Sequence, residues 1–155
     1  MNPYETFARQ IGRTRLLAWL GPRLFTRFDL YARRTGMPDS TSGTNFPLVY
    51  LTTTRRRSGE PRTVPLLGIP ADDGGTVVAG TNWGGPQDPG WVHNLRVDPH
   101  AVLERAGETI DVTARPVEGP DYDRYWSQFV DMFPGYASYR TRTDRPFALF
   151  VLEEP

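Results

Sequence analysis

The segment PLVYLTTTRRRSGEPRTVPLLGI, residues 47–69, says more about the fold than any other part of this chain. Two runs rich in β-branched and apolar residues, PLVYLTTT and RTVPLLGI, flank Ser58-Gly59, a dipeptide typical of turns. The pattern predicts a β-hairpin whose tip and second strand carry four arginines: Arg55, Arg56, Arg57 and Arg62. Guanidinium groups and turn N–H groups together can bind a phosphate or carboxylate, so the tip is a candidate anion site. A turn that is simply solvated is the alternative interpretation.

Further strand-like runs follow at short intervals, each bounded by turn residues. They cover 76–81, 101–105, 108–117 and 146–152, in addition to 47–54 and 62–69 in the hairpin. Six strands at this spacing predict a mainly β, α+β fold built on a small antiparallel β-barrel.

Two helices are predicted between the later strands. The first begins near Pro89-Gly90-Trp91 and ends before Pro99, and the second begins at Gly119-Pro120, with acidic residues in its first turn. Aromatic residues recur at helical spacing along the second helix, which favours core packing over a cofactor-stacking role. They are Tyr122, Tyr125, Trp126, Phe129 and Phe133.

The chain divides into three parts by composition. Residues 1–35 have the pattern of a basic amphipathic helix broken at Gly21-Pro22, residues 36–46 are a polar linker, and residues 47–155 form the barrel domain. The helix either packs on the barrel or makes peripheral contact with an anionic membrane through residues 3–35. No apolar run reaches the ~20 residues of a transmembrane helix. We therefore expect a cytoplasmic protein, with the inner face of the cell membrane as the alternative location.

Composition excludes several kinds of chemistry. The 155 residues include no cysteine, and all 18 basic residues are arginine, so thiolate and Schiff-base lysine catalysis are ruled out. The two histidines, His93 and His100, have no carboxylate at a metal-ligand spacing, and no metal site is predicted. Neither a nucleophile elbow nor a Rossmann glycine motif occurs. Residues 63–155 carry seven arginines against fourteen acidic residues, which argues against nucleic-acid binding.

Two further segments could line a pocket. The loop Gly80-Thr81-Asn82-Trp83-Gly84-Gly85 directly follows a strand, and its small residues would let the backbone approach a planar ligand. Tyr136 and Tyr139 lie three residues apart after the second helix, either as rim phenols or as half-buried tyrosines that bind backbone carbonyls.

Three segments, taken in order, resemble the deazaflavin-dependent nitroreductase family, whose split β-barrel members use coenzyme F-420, an 8-hydroxy-5-deazaflavin. They are LTTTRRRSGEPRTVPLLGI (51–69), VVAGTNWGGPQDPGWVHNLRVDPHAVLE (77–104) and YWSQFVDMFPGYASYRTRTDRPFALFVLE (125–153). The resemblance covers about residues 47–153. It implies a split antiparallel β-barrel and hydride transfer from reduced deazaflavin to an electron-poor acceptor, a quinone or nitro compound.

The resemblance also implies roles for particular residues. The phosphate and polyglutamate tail of F-420 would bind at Arg55, Arg56, Arg57, Ser58 and Arg62, with Pro65 beside them. The deazaflavin ring would bind at Gly80, Thr81, Asn82, Trp83, Gly84, Gly85 and Trp91. The acceptor would bind at Phe133, Tyr136 and Tyr139, and the catalytic groups would be Asn82 at the ring edge with Tyr136 or Tyr139 as proton donor or orienting group.

Other interpretations stay open at this stage. A related split-barrel protein could bind FMN instead of F-420, and a non-catalytic carrier could bind deazaflavin without reducing an acceptor. A monomer and a homodimer are both compatible with the sequence.

Overall fold

A computed structural model describes residues 47–155, and the predictions for the helix at 1–35 and the linker at 36–46 lie outside the described residues. In chain order the elements are β1 (Leu48–Thr54), β2 (Pro61–Pro70), β3 (Thr76–Gly80), a 3₁₀ turn (Asn82–Gly84), α1 (Gly90–Val97), β4 (His100–Arg105), β5 (Glu108–Pro116), α2 (Pro120–Met132), α3 (Gly135–Tyr139) and β6 (Ala148–Glu153).

The six strands form a closed barrel in the order β1-β2-β3-β6-β5-β4, and every neighbouring pair is antiparallel. The predicted antiparallel barrel is therefore confirmed. Closure leaves no strand edge unpaired in the barrel, which removes a surface on which another chain could add a strand.

Element ends differ from the prediction by a few residues. β3 ends at Gly80 instead of residue 81, because Thr81 already has the helical backbone of the 3₁₀ turn. β6 begins at Ala148 instead of 146. The chain forms a second short helix, α3, after the predicted break at Pro134, whose φ of −56° suits the start of a helix.

The barrel wall at β3 and β6 is buried on both faces. Val78, Phe150 and Leu152 point into the barrel, where they pack with the α1 residues Trp91, Val92 and Leu95. The alternate residues of the same strands face outward and are covered by α2 and α3. This two-sided burial explains why β3 reads as a continuous apolar run.

The aromatic face of α2 forms the outer core, as predicted. Tyr125, Trp126 and Phe129 are buried there, and the hydroxyls of the tyrosines have backbone partners. Tyr122 donates to the carbonyl of Phe147 at 2.8 Å, and Tyr125 accepts from the N–H of Asp72 at 3.1 Å. A phenol can thus cover a strand and still satisfy its polar end.

Strand direction brings the candidate segments to one end of the barrel. β1 and β3 point the same way because each is antiparallel to β2, so the turn after β1 and the loop after β3 leave at the same end. β4 and β6 begin at that end, since they are antiparallel to β1 and β3. Residues 55–60 and 80–85, the helix α1 and the segment before β6 therefore lie together.

Candidate cofactor and acceptor site

The basic turn, residues 55–60, is a compact hairpin tip. The N–H of Arg55 donates to the carbonyl of Glu60 at 2.8 Å, and Gly59, with a φ of +73°, donates to the carbonyl of Arg55 at 2.9 Å. Ser58 Oγ donates to a carboxylate oxygen of Glu60 at 3.3 Å. Within residues 47–155, Glu60 is the carboxylate paired with the turn, and it contacts Arg55 at 3.6 Å. The turn keeps a positive excess on an exposed surface.

A buried amide anchors the basic turn to α1. Asn94 is only 5% exposed, its Nδ2 donates to Thr53 Oγ1 at 3.0 Å, and its Oδ1 accepts from the N–H of Arg56 at 3.2 Å. Thr53 is the register partner of Arg62 across the hairpin. The side chain of Asn94 thereby fixes the backbone that presents the arginines, a role that the sequence did not reveal.

The glycine-rich loop, residues 80–85, has an unusual backbone. Asn82, Trp83 and Gly84 have φ values of +46°, +56° and +76°, in the left-handed region. Asparagine and glycine tolerate this region, whereas tryptophan rarely adopts it. Two tight hydrogen bonds close the loop, from Gly84 N–H to Thr81 O at 2.9 Å and from Gly85 N–H to Asn82 O at 2.8 Å.

Two arginines from the segment before β6 bind the carbonyls of this loop. Arg142 donates to Trp83 O at 3.0 Å. Arg145 donates to the carbonyls of Gly80, Thr81 and Gly85 and pairs with Asp88. These contacts were missed from the sequence. The sequence pattern that could have indicated them is the cluster of Arg140, Arg142 and Arg145 just before an apolar strand, in a domain that is otherwise acidic.

The glycines of this loop serve close packing. A Cβ at Gly80 would lie 2.5 Å from Val92 Cγ2, and a Cβ at Gly84 would lie 3.0 Å from both the Cα and the carbonyl oxygen of Tyr139. Gly80 therefore brings the loop against α1, and Gly84 brings it against α3. The sequence interpretation assigned these glycines to the deazaflavin ring, and the structure shows in addition that each packs closely against a neighbour within the protein.

The predicted ring and acceptor aromatics lie mostly in the core. Trp91 is 5% exposed and packs edge-on against Phe150 at 6.1 Å between ring centroids. Phe133, Tyr136 and Tyr139 form one buried cluster, and Trp83, which is half-buried, reaches it through Tyr139 at 6.4 Å. Tyr136 and Tyr139 are therefore not rim phenols. Their assignment to the acceptor, like that of Phe133, stays a prediction.

Burial changes the acidity of the two tyrosines. It raises the pKa of Tyr136 above the ordinary phenol value, and the neighbouring Tyr139 raises it further. Burial also raises the pKa of Tyr139, although Arg142 opposes the shift. Both phenols therefore remain protonated at neutral pH, where they can donate a hydrogen bond but are weak acids.

The structure thus brings together the basic turn and the glycine-rich loop, the two segments to which the sequence assigned the coenzyme. Arg55, Arg56, Arg57, Ser58 and Arg62 are exposed on or beside the turn. Pro65 lies deeper in β2, opposite Tyr50. Thr81 is buried, and Asn82 directs its amide Nδ2 to Gln87 O at 3.0 Å, within its own loop.

This closed antiparallel barrel, with a basic hairpin tip and a braced loop at one end, has the fold of the split β-barrel proteins, which include F420-H2 dependent reductases. The family model described as F420H(2)-dependent quinone reductase matches residues 24–154. The chain therefore belongs to the F420H(2)-dependent quinone reductase family.

Individual relatives agree with this assignment. The F420H(2)-dependent quinone reductase Rv1261c of Mycobacterium tuberculosis (strain H37Rv) is 36% identical over 110 residues, which cover 68% of this chain and 72% of the relative. A solved structure described as an F420-H2 dependent reductase (FDR-A) is 33% identical, with a TM-score of 0.63, and covers 69% of this chain and 94% of its own. Another, described as a domain-swapped dimer, is 30% identical with a TM-score of 0.64, covering 80% and 95%.

These findings confirm the predicted fold, the reductase activity and F-420 as the coenzyme. The individual site residues, the oligomeric state and the cellular location stay predictions. Over residues 47–155, no helix combines the length and the apolar character that crossing a membrane requires.

Proposed function

We propose that this chain reduces a quinone with reduced F-420, and that the coenzyme binds across the barrel end between the basic turn and the glycine-rich loop. The observation that supports this is the convergence of both segments on α1. Arg56 N–H binds Asn94, and Gly80 packs against Val92, only two residues away on the same helix. That separation is about 3 Å along the helix axis.

The residues present fit an anionic coenzyme with a planar ring. Arg56, Arg57 and Arg62 offer exposed guanidinium groups, whose planar donors suit phosphate and carboxylate oxygens. The glycine-rich loop lies on the other side of α1 and presents backbone and the half-buried Trp83. We assign the phosphate and tail to the arginines and the ring to residues 80–85.

Bound reduced F-420 supplies a hydride, so the protein needs no nucleophile or metal of its own for electron transfer. The residues of the protein hold the coenzyme and the acceptor in place and exclude water. We assign Tyr139 to orienting the acceptor, because of the two buried tyrosines it is the one that contacts the half-buried Trp83 of the glycine-rich loop. Because burial raises its pKa, Tyr139 acts as a hydrogen-bond donor, and solvent is the source of the proton that completes the quinol.

The test is a fluorescence titration of the purified protein with F-420, beside FMN, followed by stopped-flow oxidation of the reduced coenzyme by a menaquinone analogue. We expect preference for F-420 and acceptor-dependent oxidation. The double variant R56Q/R57Q should weaken F-420 binding by about tenfold to a hundredfold, since hydrogen bonds to charged groups contribute about 1.5–3 kcal/mol.

R115Q is the matched control. Arg115 is also exposed, but it pairs with Asp73 and Glu153, away from the basic turn. It should bind F-420 like the parent chain. Equal affinities in R56Q/R57Q and R115Q would refute the assignment of the turn, and preference for FMN would refute the proposed coenzyme site.

A further inference from the structure

Arg145 makes a dense set of contacts with the glycine-rich loop. Its Nη1 donates to Gly80 O at 3.3 Å, its Nη2 to Thr81 O at 2.9 Å, and both Nε and Nη2 to Gly85 O at 3.2 Å. The guanidinium also pairs with Asp88 Oδ1 and lies over the Phe147 ring, 4.8 Å from its centroid. Only 13% of the Arg145 side chain and 12% of the Asp88 side chain are exposed. One cation therefore connects both ends of the loop.

The loop needs such a brace because its backbone is unfavourable. Its three consecutive residues with positive φ include Trp83, and a non-glycine side chain in this region crowds its own backbone. Such a conformation persists only where the surrounding structure determines it. The carbonyls of Gly80, Thr81 and Gly85 turn inward to the guanidinium, and this fixes how the rest of the loop faces the barrel end.

We infer that Arg145, anchored by Asp88, is a positioning residue that holds residues 80–85 in the conformation that receives the deazaflavin ring. The inference rests on the proposed ring site. It adds Arg145 and Asp88 as residues that affect the reaction only by fixing the conformation of the loop backbone. Arginine suits the task because one planar group can reach several carbonyls at fixed angles, whereas the ammonium of lysine is a single point charge.

Arg96 provides an internal comparison. It pairs with the other oxygen of the same carboxylate, Asp88 Oδ2, at 2.6 Å, but it lies on the exposed side of α1. No hydrogen bond joins it to residues 80–85 in the described part of the chain. Substitution of Arg96 therefore removes the same charge and the same kind of ion pair without releasing the loop.

The experiment compares R145Q with R96Q in hydrogen–deuterium exchange, without coenzyme, and then in F-420 titration and turnover. R145Q should speed exchange across residues 80–88 at least about tenfold while the reference strand β5 exchanges as in the parent, because several charge-assisted hydrogen bonds are lost. It should also weaken F-420 binding about tenfold and lower kcat, while R96Q matches the parent in both assays. R145K, which keeps the charge but lacks the planar guanidinium, should resemble R145Q, and it provides the test if R145Q does not fold.

The two proposals fail in different ways. If R145Q and R145K exchange and bind F-420 as R96Q does, Arg145 does not position the loop. If the loop exchanges faster but F-420 affinity and kcat do not change, Arg145 holds the loop but does not position it for the coenzyme, and the inference is wrong. If the parent chain does not bind F-420 at all, the proposed function fails, while the exchange comparison still decides whether Arg145 holds the loop.

Discussion

The contact between the glycine-rich loop and α3 predicts that Gly84→Ala destabilises the protein strongly. The φ of Gly84 is +76°, and a Cβ there would lie 3.0 Å from two backbone atoms of Tyr139 and 3.1 Å from Arg142 Cδ. The backbone atoms cannot move aside by rotating a side chain, so α3 or the loop must shift.

The expected loss of unfolding free energy in Gly84→Ala has two parts. Placing alanine in the left-handed region costs about 1–2 kcal/mol, and overpacking of a tight contact costs a further 1–3 kcal/mol or so. Gly59→Ala isolates the first part, because Gly59 has a φ of +73° and no atom within 4 Å of an added Cβ. Both changes lower the entropy of the unfolded chain equally, so this effect cancels in the comparison.

Urea unfolding, followed by tryptophan fluorescence, measures the difference. We expect Gly84→Ala to lose about 2–5 kcal/mol and Gly59→Ala about 1–2 kcal/mol of unfolding free energy, with similar m-values. If the two variants unfold at the same urea concentration, the close contact with Tyr139 contributes nothing and the packing argument is wrong.

The remaining predictions use the same unfolding assay. Asn94→Ala should cost about 1–3 kcal/mol, because the buried hydroxyl of Thr53 and the turn lose their partner, whereas Gln128→Ala on the exposed face of α2 should change stability by less than about 0.5 kcal/mol. Gly80→Ala should cost about 1–3 kcal/mol through its overlap with Val92, while Gly90→Ala, with open space around it, should be neutral or stabilising. Because the pKa of Tyr136 is raised in the folded protein, the unfolded chain loses this phenol proton at a lower pH. The stability that Tyr136 contributes is therefore fully present below pH 10 and is lost as the pH rises above it. Between pH 9 and pH 11 the Tyr136→Phe variant should lose about 1 kcal/mol less unfolding free energy than the parent, and equal losses would contradict the assigned burial.

The barrel could be predicted because its strands carry local signals. The hairpin at residues 47–69 has two β-branched runs around a turn dipeptide, and the structure shows it with ends shifted by one residue. The aromatic face of α2 was predicted as core for a similar reason, since one spacing decides which residues share a face. Both features depend on residues that are close together in the sequence, and for this reason the sequence alone predicts them.

The long-range contacts that hold the site together could not be predicted in this way. Arg145 lies 57 residues from Asp88 and 65 from Gly80, and Asn94 lies 38 residues from Arg56. Each pairing depends on how strands from distant parts of the chain meet at one barrel end. Sequence analysis selected the exposed arginines of the basic turn as candidate ligands. It missed the half-buried Arg142 and Arg145, which bind the carbonyls of the loop.

Because α1 contacts both halves of the candidate site, substitutions should separate into three kinds. Asn94 connects α1 to the basic turn, so its loss should weaken binding of the phosphate tail and leave the ring site unchanged. Arg145 holds the loop, so its loss should weaken binding of the ring. Trp91 packs α1 into the barrel against Phe150, so truncating it should disturb both halves together, although the side chain itself is buried. A deazaflavin fragment without phosphate or tail separates the Asn94 variants from the other two kinds, because its affinity should fall in Trp91 and Arg145 variants and not in Asn94 variants. An equal loss of fragment binding in all three would mean that the loop and the turn do not act as separate halves of the site.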